Sequence, residues 1–360
     1  MGEVKRKRSK NENRYSHFGA RNDSALFLDY FISFYENVFF PYLKENEIQQ
    51  VVHLGDFFDR RKYINFNTLQ KVREKILDPM EEMGVTINLS LGNHDTYYKN
   101  TNKVNSPKEL LSSYGNIIIH ENPVSLDFDG LNLGLIPWIN DENRELTLDF
   151  LKSCKCSFIG GHFELEGYEV MRGMNFSGGM SDKSLRRFEK VLSGHFHTKS
   201  QKNNIHYLGT QYQITFSDLH DMKGFHVLDT ETRDVEFVEN PDKMFYSFVY
   251  DDKDKNALKS LQEELTEKLK SRYVKIIVEN KTKSSLFESF IDALYELDVA
   301  DISVIEDFSS DLEQDEKVDL AQDTLTIIST EIDLIETDLD KESLKRIMKT
   351  LYMESITNEE

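Results

Sequence analysis

Four short signatures in this sequence combine carboxylate, amide and imidazole side chains at the ends of apolar segments. They are Gly55-Asp56-Phe57-Phe58-Asp59, Gly92-Asn93-His94-Asp95, Gly161-His162 and Gly194-His195-Phe196-His197. One such signature arises often by chance, because many strands end in a glycine followed by a polar residue. Four in one chain, each after an apolar run, indicate a single site that these segments build together.

These residue types suit a pair of divalent metal ions acting on a phosphate ester. Two ions about 3.5–4 Å apart can hold both the attacking and the leaving oxygen of a phosphoryl transfer. Such a pair needs a carboxylate that bridges both ions, and we expect Asp56 to do so. Imidazole nitrogens and an amide oxygen suit manganese, iron or zinc better than a site built wholly from oxygen ligands.

The spacing of the histidines adds detail to this site. His195 and His197 are two residues apart, so in an extended segment both rings face the same side and Phe196 faces the other. His94 directly follows Asn93, and we expect it to stabilise the transition state or to donate a proton to the leaving oxygen. We expect Asp95 to hold the His94 ring in one tautomer.

The elements that must position these residues follow from apolar patterning. The segments "IQQVVHLGD", "TINLSLGNHD", "CSFIGGH" and "KVLSGHFH" each predict a buried strand that ends at a signature. Helical spacing of apolar residues predicts helices over Ser24 to Asn46 and Phe66 to Met83. The sequence therefore predicts an α/β fold with the four signatures at one rim of a sheet.

A second, smaller unit is predicted after about Met244. There the pattern reads strand, helix, strand, helix, strand, which indicates a small α/β domain. The acidic stretch "DFSSDLEQDEKVD" predicts a linker, and two amphipathic helices are predicted roughly over Leu320 to Glu336 and Lys341 to Met353.

Charge and composition narrow the class of protein. The chain of 360 residues has a formal net charge of −20, and its last sixty residues contain 18 acidic against 5 basic side chains. This balance argues against binding nucleic acid by charge alone, although bound metal ions can attract phosphates. No apolar run approaches the ~20 residues of a membrane span. With only two cysteines and no signal peptide, we expect a cytoplasmic protein of a bacterium or of a phage-infected cell.

The signatures, which span residues 17 to 210, resemble those of the calcineurin-like metallophosphoesterase superfamily. The resemblance is to its DNA-repair nuclease branch of the SbcD/MRE type, since "SLGNHD" lacks the arginine that precedes this motif in serine/threonine protein phosphatases. It implies a metallophosphoesterase β-sandwich flanked by helices, with His94 as the catalytic residue. It also implies two ligand sets, one of His17, Asp56 and His197, and the other of Asp56, Asn93, His162 and His195.

The sequence departs from this family at its start. The family completes the first metal site with an aspartate two positions before the residue that aligns with His17, and here that position is Tyr15. Residues 1–14 contain a single aliphatic side chain, Val4, so we expect no buried central strand from them. We expect a replaced beginning, with one ion held well, one held weakly, and reduced turnover.

The resemblance implies an order of domains and a set of partners. Residues 1–16 are expected to be an atypical leader in place of the first strand, 17–243 the metallophosphoesterase domain, 244–307 a capping domain, 308–318 an acidic linker and 319–360 helices that dock a partner. The expected partners are DNA, a second copy of the chain and an SMC-like coiled-coil ATPase of the SbcC type.

We therefore expect a manganese-dependent DNA exonuclease and endonuclease subunit that acts in recombination and repair. Two alternatives remain open from the sequence. Tyr15 and the missing strand favour an adaptor that keeps its DNA and ATPase contacts but is catalytically impaired. A phosphodiesterase for small substrates is the other alternative, although it has little use for the second domain and docking helices.

Overall fold

The structure is a computed structural model that describes residues 11–13, 16–171 and 174–306, together with the single positions 332, 341, 344, 345 and 348. Tyr15, the acidic linker and almost all of the predicted C-terminal helices lie outside the described residues. The chain divides into two units. The first comprises the residues up to Ile214 together with Asp221–Met244, and the second comprises Thr215–His220 and the residues from Phe245 onward.

The strands of the described residues are numbered in chain order. They are β1 Asn11–Asn13, β2 Gln50–His53, β3 Thr86–Ser90, β4 Ile117–His120, β5 Val124–Phe128, β6 Leu131–Ile136, β7 Phe158–Gly161, β8 Glu169–Met171, β9 Met174–Asn175, β10 Lys190–Ser193, β11 Ser200–Lys202, β12 Ile205–Tyr207, β13 Gly224–Leu228, β14 Val235–Glu239, β15 Phe245–Asp251, β16 Tyr273–Asn280 and β17 Asp301–Glu306.

The first unit contains two six-stranded sheets, in the orders β14-β13-β1-β2-β3-β4 and β11-β12-β10-β7-β6-β5. Apolar side chains of both sheets form one shared core, in which Val52 and Leu54 from the first sheet meet Leu133, Leu135 and Leu192 from the second. These two faces remove apolar surface from water where they pack together. Each Å² of apolar surface removed stabilises the fold by about 25 cal/mol. The predicted α/β sandwich flanked by helices is confirmed. The expectation that all four signatures lie at the rim of one sheet is wrong, because two follow β2 and β3 of the first sheet and two follow β7 and β10 of the second.

The helices of the described residues are found in both units. They are Ala25–Phe34, Phe40–Glu45, Phe66–Val72, Asp78–Glu82, Ser106–Leu111, Arg144–Ser153, Lys255–Glu264 and Ser284–Glu296, with a short turn over Ala20–Asp23. Five-residue π-helical turns, Tyr35–Phe39 and Arg73–Leu77, join the first and second pairs of helices into two longer ones. The helices predicted over residues 24–46 and 66–83 are therefore confirmed.

Each π-helical turn has the same cause in the sequence. Pro41 and Pro79 lie just after the two turns, and a proline in a helix lacks an N–H and its ring clashes with the carbonyl four residues earlier. Those carbonyls belong to Asn37 and Lys75, which lie inside the turns. The wider π geometry relieves the clash, so both helices continue past their prolines.

Strand β1 corrects one expectation from the sequence. The scarcity of apolar residues predicts no central strand in residues 1–14, yet Asn11–Asn13 lie between β2 and β13, parallel to the first and antiparallel to the second. Backbone groups of β2 and β13 would otherwise lack partners in the middle of the sheet, and any extended segment with free N–H and C=O groups satisfies them. Apolar patterning therefore fails to predict a three-residue strand that is held by backbone pairing alone.

The second unit has the strand, helix, strand, helix, strand order. Its sheet has the order β15-β16-β17 with all strands parallel. The helices Lys255–Glu264 and Ser284–Glu296 both contribute to one core that includes Tyr250, Ile276, Phe287 and Leu294. Of the helices among the described residues, none has both the length and the apolar character that spanning a bilayer requires.

Candidate metal centre

The loops after β2 and β3 meet at Asp56, which is buried. The backbone N–H of His94 donates to Oδ1 of Asp56 at 2.8 Å, so this oxygen is fixed by the loop that carries Asn93 and His94. A side chain at Gly92 would overlap the Asp56 carboxylate, which explains the glycine in that signature. The approach of the two loops leaves Oδ2 of Asp56 facing the histidines.

Four ligand atoms from four loops surround one point of the first unit. The Nε2 atom of His162 lies 2.8 Å from Oδ1 of Asn93, 3.1 Å from Nδ1 of His195 and 3.3 Å from Oδ2 of Asp56. The Asn93 oxygen is also 3.1 Å from Nδ1 of His195. The structure therefore brings together the four residues that the sequence assigned to one metal ion.

A second group of ligand atoms lies on the other side of Asp56. Nε2 of His17 is 3.1 Å from Nε2 of His197 and 4.0 Å from the same Oδ2 atom of Asp56. His197 thus joins His17, while His195 joins the other group. The segment is not extended as expected, since the φ of His195 is +82°. The intervening Phe196 is buried and stacks on Tyr207.

The outer nitrogen of three histidines has a partner that fixes the tautomer. Nδ1 of His162 donates to the Leu54 carbonyl at 2.9 Å, Nε2 of His195 lies 3.4 Å from Glu164, and Nδ1 of His17 lies 3.1 Å from Asp59. In each case the other nitrogen, which faces the cluster, keeps its lone pair. Partners of this kind orient metal-ligating histidines and raise their basicity.

The two carboxylates that orient histidines, Asp59 and Glu164, were not expected in this role from the sequence. The pattern around Asp59 favours a salt-bridged loop, but its carboxylate contacts the His17 ring and its carbonyl oxygen accepts from Nδ1 of His94. Sequence reasoning missed Glu164. The available signal was its position two residues after His162, the same spacing that separates His195 from His197.

The pKa values of the histidines in the cluster shift in different directions, and burial together with the neighbouring His162 holds the pKa of His195 well below its usual value. Burial lowers the pKa of His17, but its hydrogen bond to Asp59 and the charge of Asp56 outweigh burial and raise the pKa above its usual value. Burial is likewise outweighed at His162, whose pKa is raised by Asp56. Burial acts to raise the pKa of Asp56, yet His162 and His94 hold it well below its usual value.

The residues present fit divalent metal ions. Ligand bonds of about 2.0–2.2 Å place neighbouring ligand atoms roughly 3 Å apart, which matches the spacing of the carboxylate, amide and imidazole atoms described above. Lone pairs at this separation repel one another unless a proton or a cation lies between them. Among the described residues, ligand atoms of Asp56, His162 and His195, which belong to the first group above, lie within 4.8 Å of one another, and so do those of His17, Asp59 and His94.

The affinity for metal ions is expected to fall as the pH is lowered, and the fall should begin above the usual histidine pKa of about 6.5. The raised pKa values of His17 and His162 mean that each holds its proton at a higher pH than a free imidazole does, and a metal ion must displace these protons. Calorimetric titration with Mn²⁺ in buffers of different ionisation enthalpy measures the protons released. An affinity that is constant between about pH 6 and pH 8 would contradict this expectation.

Asp95 has a different position from the one expected. Its Oδ1 accepts from the N–H groups of Phe57 at 2.8 Å and Phe58 at 3.3 Å, and its Oδ2 accepts from the N–H of Gly92 at 2.8 Å. The interpretation that Asp95 orients the His94 ring is wrong, because the Asp59 carbonyl contacts that ring. Asp95 instead fastens the loop after β2 to the loop after β3.

Replacing Asp95 by alanine is expected to lower the free energy of unfolding by about 3 kcal/mol or more. The change leaves three backbone N–H donors in a buried place without their acceptor, at a cost of about 1–3 kcal/mol for each group that finds no substitute. Urea unfolding of the metal-free protein measures this loss. Asp29→Ala is a control, since its ion pair with Lys71 is exposed and such pairs contribute about 0–1 kcal/mol.

The chain is similar in sequence to a phosphoesterase family and to an exonuclease subunit. The family model described as calcineurin-like phosphoesterase matches residues 26–199 of the chain, a range that contains all of the candidate site residues except His17. Exonuclease subunit 1 of Enterobacteria phage T4 is 33% identical to the chain over 318 residues, which cover 87% of this chain and 90% of that relative.

Proposed function

The chain belongs to the calcineurin-like phosphoesterase family, and on this premise we propose that it is a nuclease subunit that hydrolyses DNA phosphodiester bonds with two divalent ions. The observation that carries the proposal is Oδ2 of Asp56, which faces His162 on one side and His17 on the other. A single carboxylate oxygen shared by two groups of ligands is what a bridged pair of ions requires.

The proposed ligands of the two ions follow this geometry. His17, Asp56 and His197 would hold one ion, and Asp56, Asn93, His162 and His195 would hold the other. The mixture of nitrogen and oxygen ligands favours manganese. When bound, the ions would polarise the phosphodiester and neutralise charge that develops on its oxygens.

The chain's own residues prepare the site for proton transfer. Nδ1 of His94 donates to the Asp59 carbonyl, so Nε2 is the nitrogen available to exchange a proton with the leaving oxygen. The ring packs edge-on against His17, with centroids 5.2 Å apart, which restricts its orientation. Asp95 acts here as a positioning residue, since it fixes the loops that carry Asp56 and His94.

The relative from phage T4 is named as a subunit, which supports a complex. We propose that this chain also acts with partners: a second copy of itself, and an SMC-like coiled-coil ATPase of the SbcC type bound by residues 319–360. Within this proposal residues 17–243 form the catalytic domain and 244–307 a domain that contacts DNA. Its place of action is the cytoplasm of a bacterium or of a phage-infected host.

The test is hydrolysis of linear DNA by the purified chain with Mn²⁺, compared with a Tyr15→Asp variant. Tyr15 lies outside the described residues, and by the family pattern this change restores the carboxylate of the first metal site. Activity that rises in Tyr15→Asp supports the nuclease. Manganese-dependent cleavage in neither protein, with both folded, supports the adaptor instead.

A further inference from the structure

Two tyrosines are exposed directly after the Gly92-Asn93-His94-Asp95 signature. The side chains of Tyr97 and Tyr98 are 41% and 52% exposed, although aromatic side chains of this size usually bury most of their surface. Their rings lie edge to face with centroids 4.7 Å apart. Tyr97 is three residues from His94, so their Cα atoms are at most about 11 Å apart.

The loop that displays these rings is held by its own backbone. The N–H of Tyr97 donates to the Val104 carbonyl at 2.9 Å, and the N–H of Ser106 donates to the Asp95 carbonyl at 2.8 Å. The hydroxyl of Thr96 donates to the carbonyl of Asn93 at 3.3 Å. The two tyrosines are therefore tied at a fixed distance from a proposed metal ligand.

Buried asparagines anchor the far side of the same loop. Nδ2 of Asn102 donates to the Trp138 carbonyl at 3.3 Å, and Oδ1 of Asn102 accepts from Nδ2 of Asn140 at 2.8 Å. Nδ2 of Asn105 donates to the Asn102 carbonyl at 2.9 Å. Asn102, Asn105 and Asn140 are all buried. A loop held at so many points presents its aromatic side chains in a set orientation, which lowers the entropy lost when a ligand binds.

We propose that Tyr97 and Tyr98 form a stacking surface for unpaired bases of the DNA strand that enters the metal centre. Aromatic side chains beside a phosphate-binding groove bind single strands because every base has a face that can stack. Lys99, which follows the two tyrosines, is exposed, so its ammonium group adds a positive charge that suits a phosphate. This inference rests on the proposed function.

The surface predicts a preference among DNA ends. In a blunt duplex every base is paired and stacked inside the helix, so its faces are not available to the tyrosines. A single strand or a frayed end offers them at little cost. The chain is therefore expected to bind single-stranded DNA more tightly than blunt duplex of equal length, through contacts that a strand without bases cannot make.

The test measures binding in EDTA, where metal-dependent cleavage does not occur. Fluorescence anisotropy follows a labelled oligothymidylate of about twelve nucleotides, an abasic strand of equal length and a blunt duplex. We expect the double variant Tyr97→Ala/Tyr98→Ala to bind oligothymidylate at least about tenfold more weakly, with less than about twofold change for the abasic strand and the duplex. Tyr97→Phe/Tyr98→Phe keeps the rings and is expected to retain wild-type affinity.

Leu146→Ala is the control, because Leu146 is also a large exposed side chain, 52% exposed, but lies on the helix Arg144–Ser153 of the first unit and outside the domain proposed to contact DNA. The inference is overturned if the alanine pair binds oligothymidylate as the wild type does, or loses affinity equally for all three probes. It is also overturned if that variant changes only the oligomeric state in size-exclusion chromatography, which would make the tyrosines a contact between proteins. Failure of the proposed function would be seen in a separate result, the absence of manganese-dependent cleavage by the wild type.

Discussion

The variant Asp56→Asn is expected to hydrolyse DNA at least about 100-fold more slowly than the wild type and to bind Mn²⁺ weakly at both positions. Loss of a group that merely supports a metal ligand costs about 10- to 100-fold, and Asp56 is the proposed ligand of both ions. Asparagine has nearly the same size, so it keeps the packing between the two loops. It cannot supply the negative charge that the surrounding imidazoles stabilise.

Calorimetric titration of the metal-free protein with Mn²⁺ separates this effect from misfolding. Asp182→Asn is the matched control, since Asp182 is also buried but contacts Tyr168 and Arg186 away from the metal centre. We expect this control to bind Mn²⁺ as the wild type does. Wild-type Mn²⁺ binding by Asp56→Asn would show that the carboxylate does not bridge two ions.

The variant His94→Gln is expected to lower kcat about 10²- to 10⁴-fold, the range typical for loss of a general acid or base. Mn²⁺ affinity should change little, because His94 belongs to neither proposed ligand set. Glutamine can still donate a hydrogen bond to the Asp59 carbonyl but cannot transfer a proton. The combination of lost turnover and retained metal binding distinguishes this residue from Asp56.

The dependence of rate on the leaving group provides a sharper readout for His94. If His94 protonates the leaving oxygen, its loss should matter most for substrates with a poorly stabilised leaving group and least for aryl phosphodiesters such as bis-p-nitrophenyl phosphate. An equal loss of rate on DNA and on the aryl phosphodiester would instead assign His94 to stabilisation of charge on the phosphoryl group. Retention of full activity on DNA would remove it from the mechanism.

The sequence was sufficient for the parts of the site that follow from regular strands. Asp56 and Asn93 follow the parallel neighbours β2 and β3, so their meeting at one rim of a sheet was predictable. The same holds for His162 and His195, which follow β7 and β10 of the other sheet. The meeting of these two rims depends on how the two sheets pack, which strand patterns do not encode. His195 and His197 both lie in the candidate metal centre, as predicted, but not through an extended segment, since the φ of His195 is +82°.

The partners of these residues were less predictable, because they depend on how loops fold back. Adjacency in sequence suggested that Asp95 contacts His94, but the turn directs the Asp95 carboxylate to backbone N–H groups on the neighbouring loop. Asp59 contacts two histidines that are 42 and 35 residues distant along the chain. No local pattern encodes such contacts, which arise only when several strands have been assembled.

The three-residue strand β1 depends on its backbone rather than on apolar side chains for its place in the sheet. Its neighbours β2 and β13 present rows of amide and carbonyl groups that a new extended peptide can complete, whatever its side chains. A peptide of different composition at Asn11–Asn13 would therefore keep the same hydrogen bonds to both neighbouring strands.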